Sequence, residues 1–109
     1  MIKVCAVDDI EPGTVISADV DGVQVAVVRT TRGEVYAIYD ECSHQEVPLS
    51  EGEIEDCTVE CWLHGSRFDL RTGQPIGPPA TEPVPVYPTE IRDGFIFVSL
   101  ESSNGVENP

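Results

Sequence analysis

Two short stretches, Cys42-Ser43-His44 and Cys61-Trp62-Leu63-His64, constrain this chain more than anything else in it. Each sets a thiol beside an imidazole, and sixteen residues, Gln45 to Glu60, separate the two. Two thiols and two imidazoles brought together make a four-ligand site suited to iron or zinc. A fold that uses all four must aim two loops at one another, so the remaining sequence is read as the scaffold that does so.

The chain has 109 residues, about one domain, enough to bury a modest core. Six Lys and Arg stand against 20 Asp and Glu, for a net charge of −14. That charge repels phosphate backbones and anionic lipid heads, which excludes nucleic acid and membrane surfaces as partners and favours a basic patch on another protein. The start, Met1-Ile2-Lys3-Val4-Cys5, lacks the apolar core of a secretory signal, and the longest aliphatic run, Val25-Ala26-Val27-Val28, is too short to span a bilayer. A soluble, cytoplasmic monomer is expected. In that reducing compartment the cysteines beside histidines point to metal rather than to disulfides. Cys5 and Cys57 have no Cys or His nearby in sequence and read as small buried hydrophobes.

Helix signals are nearly absent. Val, Ile, Thr and Tyr fall in short runs divided by Gly, Pro and Asp, the pattern of an all-β domain. Strands are expected at Ile2 to Val7, Thr14 to Val20, Val23 to Thr30 and Glu34 to Tyr39, with Asp21-Gly22 a strong hairpin signal between the second and third. Ile38 interrupts the alternation of the fourth and suggests burial on both faces. Glu51 to Asp56 reads as an acidic connector, Thr58-Val59-Glu60 as a short strand delivering Cys61, and Arg67 to Leu70 as a strand leaving the second loop. Gln74 to Pro88 carries six of the nine prolines and is expected to run as a stiff extended loop. Strand returns at Val84 to Ile91, and Asp93-Gly94 turns it into Phe95 to Leu100. Together these give an antiparallel β sandwich over residues 1–100, with an inserted metal-binding subdomain of two loops at about 40–71 and a flexible tail at 101–109.

Two thiolates suit one iron of a binuclear iron–sulfur centre and two neutral imidazoles the other. A mononuclear zinc site with the same ligands is the bland alternative. Zinc ligand pairs usually enclose two to four residues, and the single residue between Cys42 and His44 matches that habit poorly.

Cys42-Ser43-His44 and Cys61-Trp62-Leu63-His64-Gly65, at this spacing, closely resemble the Rieske motif, and the resemblance runs from about Ile2 to Leu100. By length and by its lone domain the chain is similar to the small Rieske ferredoxins of multicomponent bacterial aromatic-ring dioxygenases. The resemblance implies a Rieske-like fold and one [2Fe-2S] cluster, with Cys42 and Cys61 on one iron and His44 and His64 on the other. It also implies a carrier, not an enzyme in itself, shuttling single electrons from a flavin-containing ferredoxin reductase to a terminal oxygenase in transient, charge-steered complexes. Alternatives are the small Rieske-like subunit of an assimilatory nitrite reductase and, in another class, a zinc-binding interaction module. Rieske proteins of respiratory complexes add a cysteine to each loop and hydrogen-bond the cluster through a serine and a tyrosine. Here Leu63 stands in one loop and Val47 or Pro48 in the other, and Ser66 is present while Phe68 replaces the tyrosine. One lost donor predicts a reduction potential low in the Rieske range, which spans about −150 to +300 mV.

Around the motif, Trp62 reads either as a docking contact or as packing against the proline-rich loop, and Gly77-Pro78-Pro79 resembles the segment that covers the cluster. Gly65 and Gly73 read as turn residues. Asp40, Glu41 and Glu46 place negative charge beside the proposed electron exit, and Arg67 reads either as offsetting the cluster's charge after reduction or as a surface residue.

Overall fold

A computed structural model describes residues 1–43, 47–62, 65–76 and 80–106. The strands in chain order are β1 (Ile2–Ala6), β2 (Thr14–Val20), β3 (Val23–Arg29), β4 (Val35–Tyr39), β5 (Ile54–Glu55), β6 (Thr58–Glu60), β7 (Arg67–Asp69), β8 (Pro75–Ile76), β9 (Val86–Tyr87), β10 (Thr89–Arg92) and β11 (Phe95–Val98). They form three antiparallel sheets, ordered β1-β11-β10, β2-β3-β4-β9 and β5-β6-β7-β8. The expected all-β class and antiparallel pairing are present. Both Asp-Gly hairpins form as read: Asp21 and Gly22 have φ of 51° and 86°, Asp93 and Gly94 51° and 81°. Two successive positive φ values are the signature of the turn whose twist matches paired strands.

The sheet β2-β3-β4-β9 is the middle layer. On one face Val25, Val27, Val35, Ala37 and Tyr87 join an apolar cluster with Ile10, Ile96 and Val98. On the other, Ala26, Val28, Ile38 and Val86 join Leu49, Val59, Phe68 and Leu70. Alternate residues of each strand point to opposite faces, so a strand between two layers must be apolar throughout. This explains the unbroken Val25-Ala26-Val27-Val28 run and the buried Ile38.

Three expectations are revised. Glu51 to Asp56 is not only a connector: Leu49–Glu51 forms a 3-10 turn, and β5 pairs with β6 through Ile54↔Val59, turning at Asp56 with φ 53°. The single strand expected at Val84 to Ile91 is two, since β9 pairs with β4 while β10 pairs with β11. Pro88, with no amide hydrogen, stands at the break and its carbonyl accepts from Ser99 N–H at 3.0 Å. Within the stretch read as a loop, Pro75–Ile76 forms a short edge strand against β7, a position that tolerates proline. In the last stretch of chain, Ser103 N–H donates to Val86 O at 2.7 Å and the Asn104 side chain is hydrogen-bonded to Thr72, Val84 and Val86.

Candidate metal centre

Cys42 follows β4 and Cys61 follows β6. Each begins a loop closed by the same main-chain bond: Cys42 N–H donates to Val47 O at 2.9 Å, and Cys61 N–H to Ser66 O at 2.6 Å. In both the acceptor lies five residues on, 42 to 47 and 61 to 66, so each loop is a four-residue excursion pinned at its neck. His44 lies in the first by sequence and His64 in the second, and both fall outside the described residues, as do Glu46, Leu63 and Gly77-Pro78-Pro79.

The necks are braced from outside. Asp40 is buried and accepts from Ser50 N–H and Ser50 Oγ, both at 2.7 Å, while its own amide donates to Gln24 O. This corrects the reading of Asp40 as surface charge. The carboxylate is spent tying the first loop's return to its start. Gly52 packs against β6 so closely that a Cβ would lie 1.6 Å from Glu60 O, a constraint that its place in an acidic stretch concealed. Gly65 has φ +74° and donates to Cys61 O at 2.9 Å, a turn role as read. Gly73 does more than turn: at φ +74° its missing Cβ would meet Val84 O at 2.2 Å.

Cys42 and Cys61 are 4% and 1% exposed, are not disulfide-bonded, and share one apolar cluster with Leu49, Phe68 and Ala80. Two buried thiols with no disulfide between them, on loops pinned at equivalent points, fit a pair of thiolate ligands to one metal. Nearby, Ser66 is buried and its Oγ accepts from Ala80 N–H at 3.2 Å, which leaves the hydroxyl hydrogen unused by that bond. Phe68 is fully buried and offers no hydroxyl. Ser43 Oγ donates to Glu82 O at 2.6 Å.

Trp62 is 54% exposed beside Cys61. Glu41 accepts from Tyr39 OH at 3.1 Å. Arg67 is not a free cation for the cluster: its guanidinium bridges Glu60 at 2.8 Å and Glu55 at 3.2 Å, cross-linking β5, β6 and β7. Cys5 lies in β1 against the cluster of Ile10, Val25 and Ile96, where burial first and Asp9 second push its thiol up. Cys57 differs from expectation. It is half-buried in the β5–β6 turn and lines a cavity of about 290 Å³ with Glu34, Tyr36 and Arg71. Its hydrogen bond with Tyr36, then burial, hold the Tyr36 hydroxyl well above its ordinary range.

The family model of the Rieske [2Fe-2S] domain matches residues 1–88. The chain belongs to the Rieske family. It is 41% identical over 100 residues to the 3-phenylpropionate/cinnamic acid dioxygenase ferredoxin subunit of Escherichia coli strain K12, covering 91% of this chain and 92% of that one. Among solved structures, the ferredoxin of carbazole 1,9a-dioxygenase from Nocardioides aromaticivorans IC177 superposes with a TM-score of 0.86 at 39% identity, covering 90% of this chain and 95% of that one. A complex of reduced oxygenase and oxidized ferredoxin in carbazole 1,9a-dioxygenase contains a chain that matches with a TM-score of 0.86 at 35% identity over 94% of each. This Rieske chain is therefore an electron carrier of the ferredoxin type, and its cofactor is a Rieske [2Fe-2S] cluster rather than a lone zinc ion.

Proposed function

We propose that this Rieske chain carries single electrons from a flavin-containing ferredoxin reductase to the terminal oxygenase of an aromatic-ring dioxygenase, in the cytoplasm and as a monomer. Cys42 and Cys61 hold one iron and His44 and His64 the other. The observation that carries the reading is the pair of buried, unbridged thiols at the necks of two identically closed loops, in a chain 41% identical to a dioxygenase ferredoxin subunit.

When bound, the cluster supplies a one-electron couple in the Rieske range, because two neutral imidazoles replace two anionic thiolates. The chain's own residues set its surroundings. Leu49, Phe68 and Ala80 keep water from the thiols. Ser66 offers one hydroxyl donor, which stabilises added negative charge, and Phe68 none, which holds the potential toward the low end of the range. Trp62 gives a broad apolar contact beside the Cys61 loop, a side chain of the kind enriched at the centre of interfaces. The charge of −14 steers encounter with basic surfaces and lets the complexes stay weak and fast.

The experiment is anaerobic purification followed by iron and acid-labile sulfide assay, electron paramagnetic resonance of the reduced protein, and reconstitution with a purified reductase and terminal oxygenase. A red-brown protein with two irons per chain and salt-sensitive electron delivery is expected. Colourless, zinc-loaded protein would defeat the ligand assignment, and a cluster that never reduces an oxygenase would defeat the shuttle.

A further inference from the structure

Segment 80–86 touches both ligand loops. Ala80 N–H donates to Ser66 Oγ in the second loop, and Glu82 O accepts from Ser43 Oγ in the first. On its inner side Val84 N–H donates to Gly73 O at 3.0 Å and Pro85 O accepts from Tyr39 N–H at 2.9 Å. The segment is thus a strap laid across the two loops, and its placement decides whether those contacts are made.

The strap is also held from the end of the chain, chiefly by the Asn104 side chain. Asn104 Oδ1 accepts from Val86 N–H at 3.2 Å, while Asn104 Nδ2 donates to Val84 O at 2.8 Å and to Thr72 O at 2.9 Å. The Asn104 amide thus adds two bonds to the Val84–Gly73 bond in tying the strap to the turn that follows β7. The space is made by Gly73, whose Cβ, if present, would stand 2.6 Å from Asn104 Nδ2. Ser103 adds its amide and its hydroxyl to Val86 O at 2.7 and 3.3 Å.

We infer that Asn104 is a positioning residue for the cluster, acting through the strap on Ser66. A hydroxyl oxygen that accepts a hydrogen bond becomes a stronger donor through its own hydrogen, since bonds in a chain polarise one another. Ala80 N–H supplies that polarisation to Ser66, and Asn104 fixes the strap that carries Ala80. Loss of the Asn104 bonds lets the strap shift, weakens Ser66 as a donor and disfavours the reduced state. The inference rests on the cluster reading above and adds to it a residue forty positions beyond His64.

The test is Asn104→Ala in the wild-type and Ser66→Ala backgrounds, reading the midpoint potential of the cluster and amide hydrogen exchange over the strap. Asn104→Ser serves if Asn104→Ala does not fold. Up to a tenfold loss of electron affinity is expected in the wild-type background, a fall of at most about 59 mV for one electron, with faster exchange in the strap. No further fall is expected once Ser66 is Ala. An unchanged potential, unchanged exchange, or an equal fall in the Ser66→Ala background would overturn the inference. Wild-type protein without a Rieske signal would overturn the ligand reading as well, which separates the two failures.

Discussion

Asp40 accepts both hydrogens that Ser50 can donate, from its amide and its hydroxyl, at 2.7 Å each. Two residues before Cys42, it closes the outer arc of the first ligand loop from a buried position. Hydrogen bonds to a charged group contribute about 1.5–3 kcal/mol each and do not add fully. Asp40→Ala should cost about 2–4 kcal/mol in urea denaturation and lower iron retention. Ser50→Ala, which keeps the amide bond, should cost about half as much.

Glycines in this fold divide by what surrounds them. Gly52→Ala drives a methyl into Glu60 O, backbone that cannot step aside, and should cost about 3 kcal/mol or more. Gly22 has φ +86° but nothing within 4 Å of its missing Cβ, so Gly22→Ala should cost only the left-handed strain, about 1–2 kcal/mol. Thermal melting of the two variants side by side checks the order.

Trp62 separates stability from delivery. Because it is exposed, Trp62→Ala should change unfolding free energy by less than about 0.5 kcal/mol. As a docking anchor it should slow electron delivery to the oxygenase about tenfold, the equivalent of about 1.4 kcal/mol. Equal rates for variant and wild type in stopped-flow mixing would remove Trp62 from the docking surface.

His64→Cys tests the imidazole ligand. An added thiolate restores negative charge to the cluster, so the potential should drop from the Rieske range toward the about −400 mV of four-cysteine ferredoxins. An unchanged potential by spectroelectrochemistry would show that His64 is not a ligand.

Alkaline stability follows from Tyr87. Burial, then Tyr39, push its hydroxyl up to about 12 from an ordinary value near 10. The folded state thus holds the proton more tightly than the unfolded chain. Its contribution is intact below about pH 10 and lost as pH rises toward about 12. Tyr36, raised by its bond to Cys57, adds to the same trend. Tyr87→Phe should flatten, without abolishing, the fall in denaturation midpoint over that window.

Local chemistry was legible in the residues, and long-range pairing was not. Asp21-Gly22 and Asp93-Gly94 announce their hairpins because few other pairs adopt two positive φ values cheaply. The Cys and His residues announce a metal because their types and spacing carry the chemistry. Nothing near Val84 to Ile91 says that Pro88 marks a change of sheet, since that depends on which partner strand each half meets. Asp40 is an acidic residue two positions before Cys42, which suits a surface equally well until Ser50 is found against it. Gly73 looks like an ordinary turn residue, and Gly52 like part of an acidic connector, until the backbone they admit is known.

Each of the two loops is closed at its neck by a bond between main-chain atoms, Cys42 to Val47 and Cys61 to Ser66. Such fasteners are indifferent to which side chains fill the arcs between them. An exposed arc position such as Trp62 can therefore be varied to retune docking while the thiols at the bases keep their places.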